Sequence, residues 1–272
     1  MNQKFALYPG RRGAATLLLL AAAWSLVLLA PPAQAHDIVL VPQAGGLTVR
    51  YGHPHDWQPV DPEKLLELQV LGPAGAVIDR HDALSRKGLD MLLAPAALAG
   101  PALVAARYDN GLWVELPAAA DGKPQWRNTS RFMTPQARAV TLSVKFAKAL
   151  AAGAADDTLF NRRVGHLLEL VPQKNPLALK AGDMLPVLVL FDGQPLAGAA
   201  IENSNLVDKL AEDKIPRWRT DASGIAQVPL RGRGVNTLAV DLERVVDASL
   251  PGSERAAPAN RLLIVATYTF VR

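Results

Sequence analysis

The chain has 272 residues, with 20 Gly, 21 Pro, 5 His and no Cys; half of it is hydrophobic and the formal net charge is +4. Without cysteine there are no disulfides, thiolate catalysis, iron–sulfur clusters or cysteine-built zinc sites. The length suits one large domain or, more naturally, two of about 100 residues each.

The first 35 residues explain the charge. Lys4, Arg11 and Arg12 precede an apolar run over 14–30, then Pro31-Pro32 and Ala33-Gln34-Ala35, with no acidic residue among them. A basic start, an apolar middle and an A-x-A ending predict a signal peptide over 1–35, cleaved after Ala35. The run is shorter than the ~20 residues a membrane-spanning helix needs. Taking 35 residues from 272 leaves 237, and losing three basic residues lowers the net charge from +4 to +1. No cluster of basic and aromatic residues remains, so no nucleic-acid partner is expected. The exported chain is expected outside the cytoplasm, where a protein without cysteine is indifferent to redox conditions.

From residue 36 onward, short apolar or alternating stretches recur: IVLV (38–41), LTVR (47–50), LLELQVLG (65–72), LVAARY (103–108), LWVELP (112–117) and AVTLSVKFA (139–147). LLELVP (167–172), LPVLVLFDG (185–193), AQVPL (226–230), TLAVDLE (237–243) and LLIVATYTFV (262–271) continue the series. The period in TLSVKF and ATYTFV is close to two, which predicts strands with one buried face. GPAG (72–75), DNG (109–111), DGQP (192–195) and DASG (221–224) are turn signals. The fold class is therefore all-β. A linker over 151–164 separates two immunoglobulin-like β-sandwiches in tandem, 36–150 and 165–272. Residues 244–260 read as a surface loop.

Cleavage after Ala35 makes His36 the first residue of the mature protein. Its α-amine and imidazole Nδ1 can then close one chelate ring on a metal ion. Fifteen or more residues on, Tyr-Gly-His-Pro-His-Asp-Trp (51–57) places His53 and His55 on either side of a proline. A reversal at PQAGG (42–46) would fold the chain back so that His36, His53 and His55 meet, giving four nitrogens with the amine. Such a donor set suits Ni(II) or Cu(II), with intrinsic affinity favouring copper. Asp37 or Asp56 can orient a ligating ring, and Tyr51 and Trp57 can shield it. His81 is expected in an exposed turn and His166 at a domain interface. No G-x-S-x-G, G-x-x-x-x-G-K-[ST] or H-E-x-x-H is present, and no enzyme activity is expected.

Several motifs together point to a family. They are A-H-D at the signal junction, Y-G-H (51–53), Y-D-N-G-L-W-V (108–114), L-E-L-V-P-Q-K-N-P (168–176), F-D-G-Q-P-L-A-G-A (191–199) and T-D-A-S-G-I-A-Q-V (220–228). The chain resembles the DUF4198 family of exported proteins linked to nickel and cobalt uptake. D-G-x-P-L followed by T-D-x-x-G is also similar to transthyretin-like or carboxypeptidase-regulatory-like domains, which implies that kind of sandwich for 165–272. The resemblance implies a periplasmic protein that binds or delivers Ni(II) or Co(II), with an inner-membrane transporter as partner. The family's mature N-terminal histidine matches His36, and its Gly-His pair matches Gly52-His53. His-Asp-Trp at 55–57 departs from the acidic continuation of the family. Two other classes remain open: a copper carrier or oxygen-activating copper enzyme, and an interaction module whose histidines bind nothing.

Overall fold

The computed structural model describes residues 36–44, 46–54, 56–98, 100–118, 122, 125–151, 158–206, 210, 214–247, 250 and 258–272. The expected signal segment 1–35, His55 and positions 152–157 of the expected linker lie outside the described residues. Among those described, helical structure is confined to four three-residue turns, and the molecule is all-β.

The first half carries β1 (Asp37–Gln43), β2 (Gly46–His53), β3 (Asp56–Gln58), β4 (Leu65–Leu71), β5 (Val77–Asp79), β6 (Leu84–Lys87), β7 (Asp90–Leu93), β8 (Ala102–Leu116), β9 (Gln125–Asn128) and β10 (Ala139–Ala151). The second carries β11 (Leu168–Pro172), β12 (Met184–Phe191), β13 (Gln194–Pro195), β14 (Ala200–Asn205), β15 (Arg217–Arg219), β16 (Ile225–Pro229), β17 (Val235–Val245) and β18 (Arg261–Val271).

Three sheets result. The central one runs β15-β14-β17-β18-β10-β8-β4-β5, with β9 also on β8. An amino-terminal sheet has the order β1-β2-β7-β6, with β3 beside β2, and a carboxy-terminal sheet joins β11, β12, β13 and β16. The two outer sheets cover opposite faces of the central one, because successive side chains of a strand point to opposite sides. In β8, Ala102, Val104, Ala106 and Tyr108 pack with Ile38, Leu40, Leu47 and Val49 of the amino-terminal sheet. The intervening Leu103 and Ala105 pack instead with Leu168, Leu170, Val187 and Val189. β10 divides the same way, with Ala147 and Ala149 on one side and Phe146 and Leu150 on the other.

Two features depart from the sequence expectation. β10 and β18 are buried on both faces rather than one, because each lies between two sheets. The two halves also share the central sheet: β18 runs parallel to β10, with Thr141 opposite Arg261 and Ala149 opposite Thr269. Each half still makes a sandwich, but the central sheet contributes to both. The DNG signal at 109–111 is not a chain reversal either. Ser143 pairs with Gly111 and Val144 with Asp109, leaving Asn110 as the extra residue of a β-bulge within β8, with Gly111 at φ 79°.

One buried ion pair ties the segment after position 157 to the central sheet. The Lys148 Nζ donates to Glu169 Oε1 at 2.7 Å and to the Arg162 carbonyl at 3.0 Å. Glu169 also accepts from the backbone N–H groups of Val164 (2.8 Å) and Gly165 (3.2 Å). Both side chains are almost wholly removed from water. Removing one partner strands the other charge, so Lys148→Met is expected to cost about 3–5 kcal/mol in urea unfolding. The double variant Lys148→Met/Glu169→Leu is expected to recover most of that loss; a single variant losing under ~1 kcal/mol would contradict it.

Candidate metal site

The β1–β2 hairpin builds the site. β1 and β2 pair antiparallel from Gln43 opposite Gly46 out to Asp37 opposite Gly52. One further step of this register sets His36 opposite His53, at the open end of the hairpin. Ile38 and Leu40 of β1, and Leu47 and Val49 of β2, face the central sheet. His36 and His53 continue those two series by parity. Their rings lie edge to face with centroids 5.3 Å apart.

Gly52 makes this end possible. It holds φ 120°, and a Cβ there would come within 2.3 Å of the Asp56 carbonyl oxygen. The chain can thus turn tightly from β2 into β3, where Gly52 pairs with Trp57 and His53 with Asp56. The turn returns Asp56 toward the hairpin end, with Oδ2 3.6 Å from His36 Nε2. A carboxylate on Nε2 leaves Nδ1 as the ring nitrogen turned to the residue's own main chain, the nitrogen a terminal amine chelate uses. His36 is one third exposed, so the site opens to solvent on its side.

His53 is the more enclosed of the pair. Its Nε2 is sealed from water and has no hydrogen-bond partner among the described residues. Burial, then the neighbouring His36 and Lys145, push its pKa down to about 4, against an opposing pull from Asp56. His53 is therefore neutral at pH 7, the form in which imidazole binds a metal.

A wall of polar and aromatic residues completes the site. Tyr51 meets the edge of His36 at 5.4 Å and stacks on Tyr108 at 5.2 Å. The Tyr51 hydroxyl donates to Asn110 Oδ1 at 2.9 Å. The bulge presents Asn110, whose Nδ2 donates to Ser143 Oγ at 3.4 Å. Next on that face of β10 is Lys145, fully buried, with no hydrogen-bond partner at Nζ. Burial lowers its pKa to about 8, with Asp37 and Asp241 pulling the other way.

Of the expected ligands, His36 and His53 are brought together, and His55 lies outside the described residues. Of the residues expected to orient or shield a ligating ring, Asp56 Oδ2 lies 3.6 Å from His36 Nε2 and the Tyr51 ring 5.4 Å from the His36 ring. Trp57 instead packs under the Arg50 guanidinium, 5.4 Å from its ring centroid. His81 lies in a short turn, its Nε2 3.4 Å from the Pro62 carbonyl. His166 lies against Phe146 at 4.7 Å, on the opposite face of β10. Among the described residues, no group of three or more His, Asp or Glu is close enough to hold a metal.

Asn110 and Lys145 are the site residues the sequence did not flag. Asn110 sits in a turn signal that the sheet converts to a bulge. Lys145 sits in the polar phase of T-L-S-V-K-F, which by itself describes a solvated face.

The family match covers residues 33–244, spanning the hairpin, the bulge and most of the carboxy-terminal half. The chain belongs to DUF4198, a domain of unknown function. No curated protein matches the sequence. In this DUF4198 chain the matched region begins just before His36 and includes both paired histidines.

Acid sensitivity follows from His53. Its pKa is about 4 in the folded chain and 6.5 in the reference state, so the unfolded state binds the extra proton between those values. The stabilisation is full above pH 6.5 and lost as pH falls toward 4. Urea midpoints measured from pH 7 to 4 should fall less steeply for His53→Asn than for the parent. His166, pushed down to about 3 chiefly by burial, supplies a slope that remains. Parallel profiles for the two proteins would contradict the assignment.

Proposed function

We propose that this DUF4198 protein is a non-enzymatic, periplasmic metal-binding protein that captures one divalent transition-metal ion, Ni(II) first and Co(II) next. The ion is its cargo, held by the His36 amine and Nδ1, by His53 Nε2 and by His55 where that ring reaches it. The protein then passes the ion to an inner-membrane importer.

The observation that carries the reading is the sealed Nε2 of His53, a neutral donor without a partner, facing a second imidazole whose Nε2 is turned to a carboxylate. A buried polar atom without a partner is uncommon, and a missing ligand is one physical reason for it. A structural histidine would use that nitrogen in a hydrogen bond. Partial exposure of His36 suits a carrier, which must release what it binds. The choice of nickel and the importer rest on the family resemblance.

Cu(II) is the second reading, because every donor offered is nitrogen and the divalent series favours copper over nickel at such sites. An oxygen-activating copper enzyme would need a substrate surface beside the open coordination position as well.

Calorimetric titration of protein starting at His36 is expected to show one Ni(II) per chain. One extra residue before His36, which removes the chelating amine, should weaken binding by about tenfold or more, and so should His53→Ala. Competition with Cu(II), Co(II) and Zn(II) ranks the cargo. Identical isotherms for the three proteins would rule out the hairpin-end site.

A further inference from the structure

The chain buries two lysines three residues apart on β10, and they differ in one respect. Lys148 spends its ammonium on Glu169 and a carbonyl, as a structural lysine must. Lys145 is equally buried, on the opposite face of the strand, and its Nζ has no hydrogen bond to any of the described residues. An ammonium carries three donors, and leaving all of them unmade in the interior is strongly unfavourable. Neighbouring polar groups do not fill the gap, because Tyr51, Asn110 and Ser143 are hydrogen-bonded to one another. Asp37 and Asp241 attract the ammonium through space without hydrogen-bonding it.

Lys145 follows Ser143 on the face of β10 joined through Asn110 and Tyr51 to the His36–His53 pair, and its charge acts on the His53 ring. Two unsatisfied atoms, a ring nitrogen and an ammonium, thus border the same corner of the amino-terminal sandwich. A metal ion satisfies the first and repels the second. All of the proposed metal donors are neutral, so a divalent cation would add its full charge beside a buried cation. Asp37, Asp241 and Asp56 offset part of that charge without bonding the ammonium, and an anion between the two cations would bond it.

We propose that the ion is bound together with a small carboxylate anion, one oxygen on the metal and the other accepting from Lys145 Nζ. This rests on the metal-binding reading above and specifies its cargo: a metal–carboxylate complex rather than the hydrated ion. A carboxylate suits the position because it has two oxygens in a fixed fork, one for each cation. The ammonium serves as a specificity residue for the anion and does not ligate the metal.

The test uses protein beginning at His36, with Ni(II) as probe, in sodium acetate against sodium perchlorate at equal ionic strength. Acetate is expected to tighten Ni(II) binding by about tenfold in the parent protein. In Lys145→Met the ratio of Ni(II) affinity in acetate to that in perchlorate should fall to about one, whatever the affinity in perchlorate. Lys145→Arg, which keeps the charge, should retain part of the gain. Thermal melts establish that each variant is folded; should Lys145→Met not fold, the acetate dependence of the parent decides alone. Equal acetate dependence in parent and Lys145→Met, or none in the parent, overturns the proposal while leaving metal binding standing. No Ni(II) binding by the parent in either salt overturns the metal-binding reading as well.

Discussion

Burial of β10 on both faces is the constraint from which the rest of the molecule follows. A strand between two sheets sends alternate side chains into two separate cores, and every residue along it must suit the core it enters. The amino-terminal hairpin closes one side, where Thr267 Oγ1 of β18 donates to the Ile38 carbonyl of β1 at 2.8 Å. The carboxy-terminal sheet and the turn before β11 close the other, where the Tyr268 hydroxyl donates to the Phe160 carbonyl of that turn at 2.8 Å. Neighbouring residues of β18 thus fasten opposite outer layers. The hairpin end carrying His36 and His53 is held by this clamp and not by its own short strands, since an isolated hairpin is marginal in water.

The all-β class and the hairpin were legible in the sequence because both are local. A reversal between two apolar strands fixes register, and register alone sets His36 opposite His53. The Tyr-Gly-His motif was readable for a related reason, since the turn after His53 needs the positive φ of Gly52. Features that depend on distant partners were not legible. In T-L-S-V-K-F the polar phase is indistinguishable from a solvent face until the β1–β2 hairpin is known to cover it. The pairing of β10 with β18 joins residues far apart in sequence, and nothing local in either strand specifies it. The D-N-G signal misleads for the same reason: Asp109, Asn110 and Gly111 favour a positive φ at the glycine, and a turn and a bulge use it equally well.

The two buried lysines show how one strand can serve stability and function at once. On the carboxy-terminal side the chain supplies Glu169 and a backbone carbonyl, so burial of Lys148 is compensated within the fold. On the amino-terminal side it supplies aromatic walls and a closed hydrogen-bond chain through Tyr51, Asn110 and Ser143, and leaves Lys145 and His53 with unused polar atoms. A chain able to compensate one buried cation fully has no structural reason to leave its neighbour bare. The asymmetry suits the proposed binding site, because groups that ligands must reach cannot be consumed by the protein itself.

In the proposed carrier the two histidines would divide the work. His53 is enclosed, neutral and fixed by Gly52 and the β3 pairing, so it needs neither proton loss nor rearrangement at pH 7 before ligation. His36 is the partly exposed one, at the start of its strand, with a surface carboxylate beside its outer nitrogen. Tight binding requires donors that are set in advance, and release requires one that can leave. A site with both donors buried would hold its ion too long for transfer, and one with both exposed would lose the discrimination that a fixed geometry gives. With His36 on one strand and His53 on the other, the proposed site would meet both requirements, and the strand register that assembles the core also sets the two rings together.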